Sequence, residues 1–298
     1  MDIEIARGSG FCFGVRRAVN LAMHAATGVD GRIVTLGPLV HNPLVVEMLE
    51  AKGIRAVEEV SGDADVVIIR AHGVPFTHLE SLRRQRVEII DATCPFVKRS
   101  QRYAKALQDE GYQVVILGDR EHPEVRAVGS YASGQAVVVE SPDDLPDTFG
   151  PKVGVLAQTT QSEEAFLRLV HRIVPKARVV KVINTICRST AARLAETERL
   201  ARRVQIMIVV GGRKSHNTLE LVRVCRLAGI ETHHVERVEE LQVSWFRARV
   251  NVGISAGAST PDWVIDGVAE AIHAIGNPAR GGWCGNQADD VHRVLNNS

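Results

Sequence analysis

Short apolar runs alternate with amphipathic stretches along the whole chain. The runs are rich in Val and Ile and are bounded by Gly and polar residues, which is typical of strands buried on both faces of a parallel sheet. The predicted strands are 3–7, 32–36, 65–69, 87–90, 113–117, 136–139, 153–156, 179–183, 205–210, 231–235 and 249–254. Helical periodicity is clearest at 15–25, 95–110, 163–173, 191–204, 218–227 and 261–275. This alternation predicts α/β architecture with right-handed crossovers and with ligands at the carboxyl ends of the strands.

One pattern recurs three times: a predicted strand runs into a cysteine, and a predicted helix follows. The cysteines are Cys12, Cys94 and Cys187. The recurrence predicts three similar α/β units with mostly parallel sheets, each of which delivers one thiol from a strand-to-helix turn. We place the first unit at 10–94, the second at 95–186, the third at 1–9 plus 187–276, and a C-terminal tail at 277–298. No Pro-rich or Ser-rich linker separates the units, so we expect them to pack as one body.

Composition excludes several classes of function. The 298 residues carry 36 Lys and Arg against 35 Asp and Glu, and this near-zero net charge gives no bulk field to attract nucleic acid or an anionic membrane. Aromatic residues make up only 4% of the chain, which is little for a protein that stacks bases. No apolar run approaches the ~18 residues of a membrane span, and the start of the chain is too acidic for a signal peptide. We therefore expect a cytoplasmic protein without a nucleic-acid or membrane partner.

The five cysteines point to a metal or a nucleophile, because an odd count in a cytoplasmic protein argues against a disulfide framework. A helix N-terminus favours the thiolate form, which is the ligand of iron–sulfur clusters and of zinc. Three thiolates on a four-iron cluster would leave one iron open to substrate. The alternative for any single cysteine is a small buried hydrophobe, which fits Cys225 inside a predicted helix. The sequence leaves Cys284, in the Gly-rich tail, undecided.

Other predicted strand ends carry polar side chains. Histidines follow three strands, small residues typical of anion sites precede helices at 211–217 and 255–260, and further hydroxyl, amide and carboxyl groups lie beside them. Taken singly, each is most simply a capping or surface residue. Together, and beside three cysteines in similar turns, they predict a binding site at the strand ends, formed by the loops at 36–42, 70–75, 118–124, 157–160, 211–217 and 255–260.

Eight motifs, which include the three cysteines and most of these loops, resemble those of the LytB/IspH family of 4-hydroxy-3-methylbut-2-enyl diphosphate reductases. The match runs in order from about residue 3 to residue 276. The motifs are Gly-Phe-Cys-Phe-Gly-Val at 10–15, Leu-Gly-Pro-Leu-Val-His-Asn at 36–42, Arg-Ala-His-Gly-Val-Pro at 70–75, Asp-Ala-Thr-Cys-Pro at 91–95, His-Pro-Glu-Val at 122–125, Gln-Thr-Thr at 158–160, Asn-Thr-Ile-Cys at 184–187 and Gly-Ala-Ser-Thr-Pro-Asp at 257–262.

The resemblance implies three α/β units around a central [4Fe-4S] cluster, one per subunit, which Cys12, Cys94 and Cys187 would bind with one iron left open. It implies reductive removal of the allylic hydroxyl of an allylic diphosphate, which gives isopentenyl and dimethylallyl diphosphate, the last step of the non-mevalonate isoprenoid pathway. It assigns proton relay to Glu124, with Thr159 at the hydroxyl end and His122 beside them in the catalytic group. The substrate contacts would be His41, His72, His122, Thr159, Ser215, His216, Asn217 and Ser259. A ferredoxin or flavodoxin would supply the electrons.

The chain departs from the family pattern at three places. His216 stands between Ser215 and Asn217, where a small hydroxyl residue is common, and we hypothesise that it faces the diphosphate rather than solvent. Leu194 stands where Gln is expected, and the tail from 279 to 298 fits no family pattern. Two other classes remain at this stage: a zinc hydrolase that uses the same cysteines with water, and a non-catalytic protein that binds a phosphorylated metabolite.

Overall fold

The computed structural model describes residues 1–29, 31–60, 62–85, 87–247 and 251–276, which form twelve strands and nine helices. The strands are β1 (Asp2–Ile5), β2 (Ile33–Leu36), β3 (Arg55–Val57), β4 (Val66–Ile69), β5 (Glu88–Asp91), β6 (Gln113–Leu117), β7 (Val137–Val139), β8 (Lys152–Ala157), β9 (Val179–Val182), β10 (Ile206–Val210), β11 (Glu231–Val235) and β12 (Asn251–Ala256). The helices are α1 (Phe13–Gly28), α2 (Pro43–Ala51), α3 (Phe76–Arg83), α4 (Pro95–Asp109), α5 (Pro123–Ser130), α6 (Glu163–Ile173), α7 (Arg188–Ala201), α8 (His216–Leu227) and α9 (Asp262–Gly276).

The strands form three parallel four-stranded sheets with the same order of connection. The orders are β3-β2-β4-β5, β7-β6-β8-β9 and β11-β10-β12-β1. The N-terminal strand β1 therefore occupies the edge position in the third sheet that β5 and β9 occupy in the other two. All strand pairs in the sheets are parallel. This confirms the predicted class of three similar α/β units, whereas the residue limits of the units stay a prediction.

Each sheet is buried on both faces, as the continuous apolar runs predict. Along β4, Val66 and Ile68 pack into one hydrophobic cluster, whereas Val67 and Ile69 pack into another on the opposite face. The strands β6 and β10 divide their side chains in the same way. Since successive side chains of a strand point to opposite faces, helices must cover both sides of every sheet.

Helix starts follow local capping chemistry. Ser162 accepts a hydrogen bond from the Ala165 N–H at the start of α6, and the Asn42 side chain accepts one from Leu44 N–H at the start of α2. Proline occupies the first position of α4 and α5, where its missing N–H has no intrahelical partner to lose. These caps fix where each helix begins after its strand, and hence which residues remain in the loop between them.

The predicted elements are all present within a few residues of their expected bounds, except that part of 249–254 and the tail 277–298 lie outside the described residues. The pattern did not predict β3, which has three residues and no fully buried side chain. Nor did it single out α2, α3 and α5, which have eight or nine residues each and are too short for a clear helical period.

Among the residues that the structure describes, no helix combines the length and the apolar character needed to cross a bilayer.

Candidate active site

Three cysteines occupy equivalent positions in the three units. Cys12, Cys94 and Cys187 each follow the edge strand of their sheet (β1, β5 and β9) and are the N-cap residues of α1, α4 and α7. Each backbone N–H donates to a carbonyl in the loop after the neighbouring strand: Cys12 to Ala258 at 3.0 Å, Cys94 to Ala71 at 2.9 Å and Cys187 to Thr159 at 2.8 Å. Cysteine is not among the residues that favour N-caps, so its presence at all three indicates a purpose other than capping.

The three cysteines gather in one region between the units. The start of α1 lies against the second cysteine, because a Cβ at Gly14 would stand 2.5 Å from the Cys94 sulfur. Arg193 is within electrostatic reach of both Cys12 and Cys187. All three thiols are free and half-buried, so they form a candidate metal centre with three available sulfur ligands.

Burial raises the pKa of the Cys94 thiol to about 11, with a smaller opposing effect from the N–H groups of Phe96 and Val97. A thiol held in its protonated form by apolar surroundings gives up the proton when a metal ion takes its place. Metal binding at this centre is therefore expected to release protons.

Arg193 is a feature that the sequence analysis missed. Its side chain is 3% exposed, and its guanidinium donates to the carbonyls of Gly10 at 3.0 Å and Ala256 at 2.8 Å. It thus ties α7 to the turn before Cys12 and supplies a positive charge beside two of the thiols. Its position on one helix face with the buried Thr190 and Thr197 was the available signal. The neighbouring Leu194 packs into an apolar cluster.

Glu124 and Thr159 form a buried pair next to the thiols. The carboxylate accepts two hydrogen bonds from Thr159, at 2.7 Å from the backbone N–H and at 2.8 Å from the hydroxyl. Burial raises the pKa of Glu124 to about 7, although the two hydrogen bonds from Thr159 act to lower it. The charge of Glu124 in turn contributes to the raised pKa of Cys94. Glu124 is 3% exposed and has a pKa near neutrality, so it can donate a proton and be protonated again at physiological pH.

Three histidines from three loops meet beside this pair. The ring centroids of His41 and His72 are 4.2 Å apart, and His122 lies 5.1 Å and 5.4 Å from them. His122 caps α5, with its Nδ1 accepting from the Glu124 N–H at 3.1 Å. A neutral imidazole that accepts at Nδ1 carries its proton on Nε2, so His122 offers one ring N–H donor. The structure thus brings together the three predicted histidines.

Burial is the main cause that lowers the pKa of each of these histidines. The pKa of His122 falls to about 3, that of His72 lies well below its usual value, and that of His41 is also lowered. Arg70 contributes to all three shifts and Lys214 to that of His41, two cations that the sequence analysis did not assign to the site. The pocket is consequently rich in positive and neutral donors, which suits an anion.

The third unit closes this pocket with two loops. A Cβ at Gly212 would lie 2.6 Å from the His41 carbonyl, and the Ser259 hydroxyl donates to that same carbonyl at 3.3 Å. Ser215 caps α8, and both polar atoms of the Asn217 amide, 4% exposed, lack a hydrogen-bond partner among the described residues. Unpartnered buried polar atoms are costly. Together with His41 Nε2 and His72 Nδ1, the Asn217 atoms fit a polar ligand in the pocket. The other unpartnered atoms among the described residues are Gln158 Nε2, Thr160 Oγ1, Thr218 Oγ1, Arg99 Nε and Arg193 Nε.

His216 is half-buried at the first position of α8 and lies within electrostatic reach of His122. Cys225 behaves as the sequence predicts: it is fully buried in an apolar cluster, and burial raises its pKa to about 12. Cys284 lies outside the described residues.

The fold and site define a class: a three-unit parallel α/β protein with a candidate three-thiol metal centre beside a histidine-lined anion pocket. The chain belongs to the LytB family, because the family model described as LytB protein matches residues 3–273. This confirms the family resemblance of the motifs.

Named relatives agree. A 4-hydroxy-3-methylbut-2-enyl diphosphate reductase of Geobacter sulfurreducens is 45% identical over 285 residues, 94% of this chain and 100% of that protein. The protein of the same name from Aquifex aeolicus is 44% identical over 280 residues, 92% of this chain and 97% of the relative.

Two solved structures are similar. One is described as (E)-4-hydroxy-3-methyl-but-2-enyl diphosphate reductase, the terminal enzyme of the non-mevalonate pathway; it is 43% identical with a TM-score of 0.70 and covers 92% of this chain and 99% of its own. The E-1-hydroxy-2-methyl-but-2-enyl-4-diphosphate reductase of Plasmodium falciparum, at 24% identity, supports the fold alone, with a TM-score of 0.84 over 90% of this chain and 86% of its own.

The raised pKa of Glu124 predicts a pH-dependent stability difference. Between the unfolded pKa, 4.5, and the folded pKa, about 7, the unfolded state loses its proton first, so wild-type stability falls as pH rises through this window. Glu124→Gln keeps an acceptor for the Thr159 N–H and cannot ionise. Relative to wild type, its free energy of unfolding should rise by about 3 kcal/mol between pH 4.5 and pH 8.

Denaturant unfolding of the metal-free protein at several pH values measures this difference, with Glu121→Gln at an exposed position as the control. A wild-type and a Glu124→Gln curve that stay parallel across the window would show that Glu124 folds with an ordinary carboxyl pKa.

Proposed function

We propose that this protein is a 4-hydroxy-3-methylbut-2-enyl diphosphate reductase that catalyses the last step of the non-mevalonate isoprenoid pathway. The reaction cleaves the allylic C–O bond, forms a C–H bond and releases water, so each turnover consumes two electrons and two protons and gives isopentenyl or dimethylallyl diphosphate. The observation that carries the proposal is the buried Glu124–Thr159 pair beside three converging thiols in a chain of this family. A protein that only binds a metabolite would not require a proton donor at this position. A zinc hydrolase is disfavoured because zinc sites usually include closely spaced ligand pairs, whereas the three cysteines lie far apart in the sequence.

The three thiols fit the iron–sulfur centre of this family. Cys12, Cys94 and Cys187 are free, half-buried and gathered from three units, with the Arg193 charge close to two of them. They would hold one [4Fe-4S] cluster per subunit and leave one iron without a protein ligand. When bound, such a cluster supplies single electrons and a Lewis-acidic iron for the hydroxyl oxygen.

The remaining chemistry belongs to protein side chains. A hydroxyl group leaves far more readily as water than as hydroxide, and Glu124, with its pKa near 7, can donate the required proton. The Thr159 hydroxyl now donates to Glu124 Oε2 and would orient the substrate hydroxyl next to it. His122 is the N-cap residue of α5, the helix that carries Glu124, and its Nε2–H is available to donate to the substrate.

The diphosphate fits the histidine pocket. His41, His72 and His122 would donate ring N–H groups, and Ser215, Asn217 and Ser259 would add neutral donors from the third unit. The unpartnered Asn217 amide and the free ring nitrogens of His41 and His72 support this placement. Charge-assisted hydrogen bonds to such an anion are stronger than neutral ones. A ferredoxin or flavodoxin is the proposed source of electrons.

Replacing any of the three ligand cysteines should abolish the centre. Cys12→Ser, Cys94→Ser and Cys187→Ser are each expected to lose most of the iron and all turnover, because each removes one thiolate ligand. Cys225→Ser is the matched control, since Cys225 is buried away from the site. Iron content and absorbance near ~400 nm after anaerobic purification measure the outcome. A full cluster with activity in one of the three variants would refute the ligand assignment.

Turnover itself tests the reaction. Anaerobic protein with a reduced viologen should convert 4-hydroxy-3-methylbut-2-enyl diphosphate to the two isoprenoid diphosphates. Glu124→Gln should keep its iron and its substrate-induced spectral change but lose at least ~10²-fold in turnover, because the amide cannot deliver a proton. Product formation followed by chromatography measures this loss. A near-normal rate with Gln at 124 would place the acid elsewhere, and absence of turnover in the wild type would refute the function.

His216 is proposed to contact the diphosphate from the start of α8. It is half-buried and close enough to His122 to help lower the pKa of that residue, which disfavours a side chain extended into solvent. A neutral ring at this position would donate one hydrogen bond to the anion, and a bound anion favours the protonated ring, which adds an attractive charge. Other charged or titratable groups around the pocket remain in a His216→Ser variant. They are Glu124, with its pKa of about 7, the histidines His41, His72 and His122, and Arg70, Lys214 and Asp119.

We therefore expect the gain in diphosphate affinity from pH 8 to pH 6.5 to be several-fold smaller in His216→Ser than in wild type. Calorimetric titration with inorganic diphosphate at each pH measures it, and the ionisation of the ligand itself cancels in the comparison. Parallel affinity curves for the two proteins would show that His216 does not contact the anion.

A further inference from the structure

An exposed aromatic patch surrounds the first cysteine. Phe13, bonded directly to Cys12, is 66% exposed at the first position of α1, and Trp263 on α9 is 44% exposed. Phe11 joins them, with its ring centroid 6.3 Å from that of Trp263 and at right angles to it. In a chain with 4% aromatic residues, three aromatic side chains gathered at one surface point are notable. Exposed aromatic groups of this kind are typical of protein interfaces.

A cation lies within this patch. The Arg16 guanidinium stands 6.0 Å over the Phe11 ring and pairs with Asp262 at 3.2 Å, with both side chains more than half exposed. The aromatic patch is therefore defined as Phe11, Phe13, Arg16 and Trp263. It combines apolar area with an exposed guanidinium, ion-paired with Asp262, immediately next to a proposed cluster ligand.

Basic residues also mark the starts of all three helices that follow the cysteines, and none of these helices has an acidic residue in its first turn. Cations gain nothing from the positive end of a helix dipole, so their placement points to negative charge nearby. Two of them serve the interior: Arg17 donates to the carbonyls of Asp91 and Thr93, and Arg193 to those of Gly10 and Ala256. Arg16 and Arg188 are instead exposed, Arg16 in the ion pair with Asp262 and Arg188 directly after the third proposed ligand cysteine.

We propose that the aromatic patch around Cys12 is the docking surface for a small acidic one-electron carrier protein of the ferredoxin type. The inference rests on the proposed function, which needs two electrons per turnover, each delivered as one reduced carrier docks and is oxidised. An electron donor must approach the centre closely, and Phe13 places exposed surface one peptide bond from a ligand cysteine. An acidic carrier would complement the exposed Arg188 and replace Asp262 as the partner of Arg16, while Phe13 and Trp263 would supply apolar contact.

Two variants of the holoenzyme test the surface, Phe13→Ala and Arg16→Glu. Their controls are Leu167→Ala, at an equally exposed apolar position (66%) on α6, and Arg223→Glu, which reverses an exposed, ion-paired Arg on α8. Turnover is measured with a reduced acidic ferredoxin and, separately, with a reduced viologen that needs no docking surface. The KM for ferredoxin should rise about 10-fold or more in both test variants at low salt and stay unchanged in the controls. The viologen-driven rate and the iron content should stay within about twofold of wild type.

Ionic strength gives an independent readout. The ferredoxin-driven rate of wild type should fall as salt is added, and Arg16→Glu should show a weaker dependence. An unchanged KM for ferredoxin in both test variants would overturn the proposal. So would an equal loss with ferredoxin and with viologen, because that result would show an effect on the centre and not on docking. Failure of viologen-driven turnover in wild type would instead refute the proposed function.

Discussion

Three backbone hydrogen bonds hold the site together. In each unit the N–H of a cysteine donates to the carbonyl of the loop after the neighbouring strand, which pins a thiol to the carboxyl edge of a parallel sheet. Parallel strands place all their carboxyl ends at one edge, so each four-stranded sheet presents the loops that follow its strands there. The three sheets direct these loops to one place, where cysteines, histidines and hydroxyl groups meet. The proposed chemistry depends on that convergence.

Thr159 links the two halves of the site. Its carbonyl accepts from the Cys187 N–H, whereas its own N–H and hydroxyl donate to Glu124. One residue thus fixes the distance between a proposed cluster ligand and the proposed proton donor. Burial then sets the protonation states, because it raises the pKa of Glu124 to about 7 and lowers that of His122 to about 3. Burial thus makes Glu124 a proton donor and keeps the neighbouring His122 a neutral hydrogen-bond donor.

The sequence predicts much of this arrangement, because parallel strands buried on both faces leave continuous apolar runs and because each cysteine stands between a strand and a helix. It could not predict β3, whose three residues bury no side chain fully. Nor could it show that Arg193 turns inward, since the partners of that guanidinium are backbone carbonyls distant in sequence. Arg70 and Lys214 escaped notice for a similar reason: their effect on the histidines arises only from three-dimensional proximity. The hydrophobic period of the sequence shows which side chains are buried, whereas the charged groups near a given residue can be identified only from the three-dimensional structure.

The central claim is that three thiols from three units hold one cluster and leave a single iron for substrate. Mössbauer spectroscopy of anaerobically purified protein enriched in ⁵⁷Fe tests it directly, before and after addition of 4-hydroxy-3-methylbut-2-enyl diphosphate. The account predicts a four-iron cluster in which one iron differs from the other three and alone changes when substrate is added. Four equivalent irons that do not respond to substrate would contradict it.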